Sequence, residues 1–260
     1  MDYRTSLLIP CYNESGSVPQ LCGRLKTLRD ALDPSESLEI IFIDDGSTDG
    51  TSELIRRNMD GITYELIAHP RNQGIGAAFR TGFEAAHGEE IVTIDSDCTY
   101  DPATIPKILE LLRSGFDLVT ASPYHPQGEV VGVERWRLVL SKTLSRFYWL
   151  VLPQRLHTYT SCYRAYRREV LSRITLDNDG FLGVTEVLVS AILNGARVAE
   201  LPTRLTRRRF GTTKIRLLQV SLSHLFYIPR VMWARLRGRT RSQRFLQPSE
   251  VKPTFHYTGS

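Results

Sequence analysis

Short apolar runs alternate with helical periodicities along the first hundred residues of the chain. The apolar runs have the length and composition of buried strands, and the stretches between them repeat apolar residues at intervals of three and four positions. Such an alternation is typical of βαβ units, which form a mostly parallel sheet covered by helices on both faces. Ser17 and Gln20 have the spacing of a capping box at the start of the first helix. The predicted strands are residues 6–11, 38–43, 64–68 and 91–94, and the predicted helices are residues 17–32, a stretch ending at Met59, and residues 74–87.

The pattern is looser beyond residue 100. Residues 136–152 form a long amphipathic stretch rich in aromatic residues, and residues 215–236 have helical periodicity despite Pro229. After Gly238 the composition becomes polar. Shorter elements are predicted as a helix over residues 105–112, a strand over residues 117–121, and a helix over residues 183–193 that ends at Asn194 and Gly195.

Polar and acidic residues follow three of the predicted strands. Ligands of open α/β sheets bind outside the carboxyl ends of the strands, which meet at one edge. Carboxylates gathered there repel one another and cost stability unless a cation or a ligand with many donors uses them. A single Asp-x-Asp is weak evidence because Asp is common in turns, but three acidic strand ends in order are much stronger. The three groups are Pro10, Cys11, Tyr12, Asn13 and Glu14; Asp44 and Asp45; and Asp95, Ser96 and Asp97.

This carboxylate pattern predicts a ligand class. Mg²⁺ and Mn²⁺ bind through one or two carboxylates together with substrate phosphates, so we expect a nucleoside diphosphate compound as partner. Gly74 and Gly76 at a helix start allow close approach to an anion, although tight helix packing explains them equally well. A dinucleotide-binding dehydrogenase would carry GxGxxG after its first strand, where this chain has PCYNESG, so that class is excluded.

Composition excludes further classes. The chain has 260 residues, 42% apolar and 23% charged, as expected of an ordinary soluble globular protein with a sizeable core. Its four cysteines lack the spacing of a zinc site or a disulfide framework, which suits a reducing compartment. No uninterrupted apolar stretch of about 18 residues predicts a membrane span. The first apolar run is broken at Pro10, unlike a signal peptide.

The net charge of +5 conceals an asymmetry. Residues 201–249 carry twelve Lys or Arg and no Asp or Glu, whereas residues 1–200 carry 20 basic and 27 acidic groups. An acidic body with a basic tail indicates phosphates or an anionic surface as partners. No nucleic-acid-binding motif accompanies the tail, so nucleic acid is not a predicted partner.

Several segments resemble a known family. LLIPCYNESGSV, IFIDDGSTDGT, RNQGIGAA and IVTIDSDCTYDP are similar, in order and spacing, to the nucleotide-sugar half of the family-2 inverting glycosyltransferases. YTSCYRAYRREVL resembles the TSGFRxYRR segment of dolichyl- or polyprenyl-phosphate hexosyltransferases such as the mannosyltransferases, and residues 208–214 resemble their RxxGxSK segment. The resemblance implies an α/β fold of GT-A (Rossmann-like) type with C-terminal amphipathic interfacial helices. It also implies a catalytic domain over residues 1–214, divided at residue 100 into nucleotide-sugar and acceptor halves, and a basic amphipathic tail over residues 215–260.

The resemblance also implies roles for individual residues. Asp97 matches the direct ligand of a metal ion, Mg²⁺ or Mn²⁺, within the triplet that Asp95 and Ser96 complete. Arg208 and Lys214 match basic residues that hold the donor diphosphate. Pro10, Tyr12, Glu14 and Asp45, together with the adjacent Asp44, are expected to bind the nucleotide. The expected acceptor residues are Thr160, Ser161, Arg164 and Glu186.

The residues themselves favour a phosphate acceptor. Residues 135–168 include eight Lys or Arg and no Asp or Glu. A sugar hydroxyl needs a carboxylate to remove its proton, whereas a phosphate oxygen is already ionised and needs cations to hold it. The aromatic and basic stretch 135–152 suits a helix lying in a lipid interface, the alternative being a helix buried against the catalytic domain. The basic tail adds a second such element, which an anionic lipid surface attracts.

We therefore expect metal-dependent, inverting transfer of a hexose from a nucleoside diphosphate sugar to a polyprenyl phosphate. GDP-mannose is the first expected donor and a UDP-hexose the alternative, with the protein in the cytoplasm, peripheral on the inner face of the membrane. Thr99, Pro123 and Thr158 depart from the family pattern, where Gln, Arg and Asp usually stand. Two other interpretations remain open: a transferase with a hydroxyl acceptor and Glu186 as its base, and a silent nucleotide-sugar-binding protein at the membrane surface.

Overall fold

The computed structural model describes residues 3–33, 36–210 and 217–238. Strands and helices alternate through the first half, as the apolar pattern predicts. The strands are β1 (Thr5–Cys11), β2 (Leu38–Asp44), β3 (Glu65–Ala68), β4 (Glu90–Thr93), β5 (Leu118–Ser122), β6 (Glu129–Val131), β7 (Arg164–Arg167), β8 (Val198–Pro202) and β9 (Arg204–Thr206). The helices are α1 (Val18–Ala31), α2 (Thr51–Asn58), α3 (Ile75–Ala85), α4 (Ile105–Arg113), α5 (Arg135–Val151), α6 (Arg168–Leu171), α7 (Leu182–Leu193) and α8 (Leu217–Gly238), and a 3₁₀ turn at Pro102–Thr104 precedes α4.

Seven strands form one sheet in the order β3-β2-β1-β4-β7-β5-β8. All neighbouring pairs are parallel except those of β7, which runs antiparallel to both β4 and β5. Cys11 is level with Asp44 across the β1–β2 pair, so the carboxyl ends of these strands meet at one edge. The α/β, mostly parallel fold expected from the sequence is therefore confirmed, and the acidic strand ends lie at a common rim.

Helices cover both faces of this sheet. On one face, Leu7 and Ile9 of β1 pack with buried residues of α1, α2 and α4. On the other, Leu8 and Ile43 pack with residues of α3, α5, α7 and α8. Alternate residues of β1 thus enter two separate apolar cores, as the two-residue period of a strand requires.

A second, two-stranded sheet stands beside the main one. In it, β6 pairs in parallel with β9, bringing Glu129 level with Arg204. The chain leaving β6 leads into α5, and the chain leaving β9 leads towards Arg208. This ribbon therefore places the start of α5 and the segment after β9 side by side.

Helices α5 and α8 pack against each other. The Tyr148 hydroxyl and His224 Nδ1 are 2.9 Å apart and hydrogen-bonded, and Arg235 donates to the Val151 carbonyl at 2.9 Å. The predicted helical stretch 136–152 corresponds to α5, and the described part of the stretch 215–236 lies in α8, while residues 215 and 216 lie outside the described residues. Within the described ranges, no helix is both long enough and apolar enough to cross a membrane.

One detail of the sequence prediction is wrong, and four strands were not predicted. Ser17 makes no side-chain cap to α1, because its hydroxyl donates to Glu14 instead, so the capping box does not form. The sequence pattern also did not predict β7, since a central strand reading RAYR carries charged residues where apolar ones are usual. The short strands β6, β8 and β9 were not predicted either, because three to five residues give too little periodicity.

Candidate active site

A cleft of about 850 Å³ lies at the carboxyl ends of β1, β2 and β4. Of the residues predicted to bind nucleotide or metal, most line this cleft. Those from the three strand ends are Pro10, Tyr12, Glu14, Asp45, Asp95, Ser96 and Asp97, and Arg208 joins them from the segment after β9. The start of α5, the residues before α7, and α8 also line the cleft.

Asp95 and Asp97 form the centre of the acidic rim. Burial raises the pKa of Asp95 above its ordinary value, and the neighbouring Asp97 carboxylate raises this pKa further. The Thr99 amide and hydroxyl both donate to Asp97 Oδ1, at 3.0 and 2.7 Å. The two carboxylates repel each other when both are ionised. A divalent cation bound between them would relieve this repulsion.

The residues present fit Mg²⁺ or Mn²⁺ bound jointly by protein and substrate. Within the described ranges, no group of three or more His, Cys, Asp or Glu side chains is arranged to hold a metal by itself. Mg²⁺ commonly takes one or two carboxylates and completes its coordination with substrate phosphates. Asp95 and Asp97 supply such a pair.

Arg208 reaches the same rim from the far end of the chain. Its guanidinium forms an ion pair with Glu14, and its Nε lies 3.7 Å from Asp97 Oδ2. The Glu14 carboxylate also accepts a 2.9 Å hydrogen bond from the Ser17 hydroxyl. A partly buried cation therefore faces the acidic rim, while Lys214, its predicted companion, lies outside the described residues.

Asp45 organises the loop that precedes α3. Its Oδ1 accepts from His69 Nδ1 at 2.7 Å and from the Gln73 amide at 2.9 Å. Its Oδ2 accepts from Asn72 Nδ2 at 2.9 Å and from the Gly74 amide at 2.8 Å. The carboxylate lines the cleft, and it also fixes the backbone of residues 69–74.

Asp44 takes a different place from the one predicted. Its carboxylate accepts from the Ser47 amide at 2.9 Å and from the Ser52 hydroxyl, and Asp44 is not among the cleft-lining residues of the described chain. An Asp that accepts from an amide three residues later stabilises a turn. Asp44 therefore holds the turn before α2, and the structure does not bring it to the cleft lining.

The glycines at the start of α3 serve packing. The Gly76 amide donates to the Asp179 carbonyl at 2.6 Å, so this end of the helix is capped by backbone from the second half of the chain. A Cβ at Gly74 would collide with Asp179, and one at Gly76 with Asn178. Close packing is therefore observed at both glycines, and the Gly74 amide also donates to an anionic group, the Asp45 carboxylate, at 2.8 Å.

Arg164, predicted to contact the acceptor, is completely buried. Its guanidinium donates to the carbonyls of Val184 and Tyr159, the latter at 2.7 Å, and to the Thr120 hydroxyl at 3.4 Å. These internal acceptors compensate a buried charge, which is costly when unpartnered. Arg164 therefore ties β7 to the start of α7 and does not point into the cleft.

Thr160 and Ser161 also lie off the cleft wall of the described chain. The Thr160 hydroxyl is hydrogen-bonded to Ser141 of α5 at 3.3 Å. The Ser161 hydroxyl donates to Tyr100 and to the Tyr163 carbonyl, each at 3.4 Å. Both hydroxyls connect structural elements behind the site.

Glu186 is buried on α7, where Oε2 accepts from the amides of Asp177 and Asn178 at 3.1 and 2.9 Å. Asn178 and Gly180 line the cleft, whereas Glu186 is not among the lining residues described. The carboxylate thus fixes the loop between α6 and α7. Asn178, which donates to it, directly precedes Asp179, whose carbonyl caps α3.

The residue-level predictions from sequence did not include two cleft arginines. Arg137 on the first turn of α5 pairs with Glu134 at 2.9 Å, and Arg207 precedes Arg208; both line the cleft. The excess of cations over residues 135–168 was the available signal for Arg137. Periodicity alone does not indicate which arginine of such a run faces a ligand.

The mostly parallel sheet, the acidic rim at its strand ends and the arginines that line the same cleft together define a glycosyltransferase of the GT-A type. Residues 6–175 match the family described as Glycosyl transferase family 2, and the chain belongs to this family. The family resemblance of the sequence motifs is thereby confirmed, and the protein is a glycosyltransferase.

Similar proteins have related names. The chain is 34% identical over 222 residues to the polyprenol monophosphomannose synthase of Mycolicibacterium smegmatis, covering 82% of this chain and 81% of that protein. It is 30% identical over 220 residues to the undecaprenyl-phosphate mannosyltransferase of Micrococcus luteus, covering 82% and 87% respectively.

A solved structure shares the fold. The glucosyl-3-phosphoglycerate synthase of Mycobacterium tuberculosis, crystallised with Mn²⁺, UDP-glucose and phosphoglyceric acid, superposes with a TM-score of 0.66 over 90% of this chain and 79% of that chain. The sequence identity is 18%, so the likeness concerns the fold alone.

Proposed function

We propose that this chain transfers a hexose from a nucleoside diphosphate sugar to a polyprenyl phosphate, inverting the anomeric carbon. The observation that carries the proposal is the presence of both kinds of charge in one cleft. Glu14, Asp95 and Asp97 line it together with Arg137 and Arg207. The carboxylates suit a metal-bound diphosphate, and the two arginines suit an anionic nucleophile.

The donor would bind at the strand ends. Pro10 near the end of β1 and Tyr12 just after it line the cleft, as does the loop held by Asp45, so the base and ribose would lie between them. Asp95 and Asp97 would hold Mg²⁺ or Mn²⁺. Such an ion, when bound, neutralises charge on a departing diphosphate. Arg208 stands beside the same carboxylates and would stabilise that charge from the protein side.

The acceptor side favours a phosphate over a hydroxyl. A hydroxyl acceptor requires a general base within hydrogen-bond reach. Among the described residues that line the cleft, Glu134 is the one carboxylate outside the three strand-end groups, and it is paired with Arg137. Glu186, the base that a hydroxyl acceptor would need, is engaged with two backbone amides. A phosphate oxygen, already ionised, would be held by Arg137 and Arg207 and attack without proton removal.

Apolar stripes on α5 and α8 support contact with a lipid surface. The exposed apolar residues of each helix recur at intervals of three and four, so each helix presents one apolar face to solvent. Exposed Lys142, Arg146 and Arg230 accompany them, a combination typical of helices in a membrane interface. The stripes comprise Trp136, Val139, Leu140, Phe147 and Leu150 on α5, and Leu222, Leu225, Phe226, Met232, Trp233 and Leu236 on α8.

We further propose mannose, from GDP-mannose, as the sugar, and a peripheral position on the inner face of the membrane. The names of the two similar proteins, both mannose transferases acting on polyprenyl compounds, support the sugar and the acceptor. The exposed apolar stripes of α5 and α8 support a peripheral position.

The test is transfer of radiolabelled sugar from GDP-mannose, GDP-glucose, UDP-glucose or UDP-galactose to polyprenyl phosphate, with Mn²⁺ or with EDTA. The matched control acceptor is the polyprenol of the same length, which carries a hydroxyl in place of the phosphate. We expect labelling of the phosphate alone, with GDP-mannose alone, and with the metal present. Analysis of the product anomer tests inversion.

Each other outcome has a meaning. Labelling of the polyprenol would overturn the phosphate nucleophile, and labelling in EDTA would overturn the role of the metal. Nucleotide binding without turnover on any donor would support the silent binding protein. The Asp97→Asn variant, isosteric with the parent, should lose transfer at least a hundredfold while keeping its melting temperature.

A further inference from the structure

Thr99 is one of the residues that line the candidate active site. It follows Asp97 by two residues and lines the cleft, at a point where the family pattern usually has Gln. Both of its hydrogen-bond donors serve one atom, since its amide and its hydroxyl reach Asp97 Oδ1 at 3.0 and 2.7 Å. A carboxylate only accepts hydrogen bonds, so the single hydroxyl proton of Thr99 is committed to Asp97.

These two bonds determine how Asp97 is oriented. With Oδ1 held by Thr99, the other oxygen of the carboxylate, Oδ2, is the one that lies 3.7 Å from Arg208 Nε. A free Asp side chain would rotate about its last torsion, which has a broad, roughly two-fold profile. Two donors on one oxygen remove that freedom and keep the second oxygen towards the cleft.

Thr99 is itself anchored through its backbone. Its carbonyl accepts from the amide and the hydroxyl of Thr206 at 3.0 and 3.1 Å. Thr206 is the last residue of β9, two positions before Arg208. The backbone that holds Asp97 is therefore tied to the strand that carries Arg208, although more than a hundred residues of chain separate the two segments.

We propose that Thr99 is a positioning residue. It orients the Asp97 carboxylate for binding the metal ion and holds it in a fixed position relative to Arg208. The inference rests on the proposed function, because it assigns Asp97 to a metal-bound donor. Thr99 acts through Asp97 and needs no contact of its own with the sugar nucleotide. Thr99 would thus act by orienting Asp97, at a position where the family pattern usually has the amide side chain of Gln.

Three variants separate this role from general stability. Thr99→Val keeps the shape and both backbone contacts but removes the hydroxyl donor, and Thr99→Ser restores that donor. Thr104→Val is the matched control, because the Thr104 hydroxyl is bonded to the Asp101 carbonyl and to Tyr163 and lies off the cleft wall. Mn²⁺ binding in the presence of GDP is followed by electron paramagnetic resonance, and melting temperatures are measured in parallel.

We expect Thr99→Val to bind Mn²⁺ about tenfold more weakly, as loss of one hydrogen bond to a charged group predicts. Its melting temperature should match that of Thr104→Val, whose Mn²⁺ affinity stays at the parent value. Thr99→Ser should recover the affinity to within about threefold, because the charged hydrogen bond is restored. Transfer by Thr99→Val should lose kcat, while KM for polyprenyl phosphate stays unchanged.

Two results would overturn the inference alone: parent-like Mn²⁺ affinity in Thr99→Val, or a loss in Thr99→Val that Thr99→Ser does not recover. The second would mean that the methyl group acts by packing. If the parent protein bound no Mn²⁺ with GDP or UDP, the metal part of the proposed function would fail together with this inference.

Discussion

Arg208 and Glu14 form an ion pair across the candidate active site, although 194 positions separate them in the chain. The pair joins the segment after β9 to the turn after β1, and it sets a cation against the carboxylates of the rim. Glu14 is almost completely buried and the Arg208 side chain is 18% exposed, so the interaction is only weakly screened by solvent.

Replacing Arg208 with Ala should reduce kcat/KM for the donor about a hundredfold. The reason is that a preorganised cation beside a departing diphosphate stabilises charge that develops in the transition state. Initial-rate kinetics with varied donor measure the effect. Arg209→Ala is the matched control, because Arg209 is exposed and does not line the cleft, and it should stay at the parent rate. Equal losses in the two variants would contradict a specific role for Arg208.

Replacing Glu186 with Gln should leave transfer within about twofold of the parent rate, because the amide oxygen still accepts from the two backbone amides. Glu186→Ala should lower the melting temperature, since it leaves both amides without this acceptor, at about 1–3 kcal/mol each. Steady-state rates and thermal unfolding distinguish the two variants. A loss of a hundredfold or more in Glu186→Gln would instead identify Glu186 as a general base.

The packing of α8 on α5 should weaken in acid through His224. Burial lowers the pKa of this imidazole from 6.5 to about 4, so the unfolded chain binds a proton that the folded chain excludes between these values. The contribution is fully present above pH 6.5 and declines as the pH falls towards 4, by up to about 3 kcal/mol.

Denaturant unfolding at pH 7.5 and pH 5 measures this effect. His224→Gln keeps an acceptor for the Tyr148 hydroxyl but does not titrate, so its stability should change less between the two pH values than that of the parent. An identical change in both proteins would rule out His224 as the group responsible.

The apolar stripe of α8 should govern binding to lipid vesicles. Phe226 and Trp233 are 71% and 56% exposed, and burying each in a bilayer interface is worth about 1.5–3 kcal/mol. The double variant Phe226→Ser with Trp233→Ser should therefore bind anionic vesicles at least about a hundredfold more weakly, as measured by co-sedimentation. Val131→Ser, at an exposed apolar residue of β6, is the control and should bind as the parent does. Unchanged binding of the double variant would contradict the lipid-facing assignment.

Local signals in the chain were sufficient for much of the architecture. Short apolar runs predicted β1 to β5 and helical periodicity predicted most of the helices, because both reflect which residues of an element are buried. The acidic groups around Glu14, Asp45 and Asp97 were correctly predicted to meet, since parallel strands bring their carboxyl ends to one edge. Family motifs in the same segments pointed to a glycosyltransferase.

The direction in which each polar side chain points depended on partners distant in the chain. Asp44 turns to its own loop, Arg164 is enclosed by Tyr159 and Val184, and Glu186 holds the 177–178 backbone, although all three had been expected at the ligand. Arg137 was brought into the cleft by the β6–β9 ribbon, a pairing of two three-residue strands with no periodicity to detect. A periodic pattern reports burial, whereas the choice of hydrogen-bond partner is made by the folded backbone, because a buried polar group binds whichever donor or acceptor packing brings within reach.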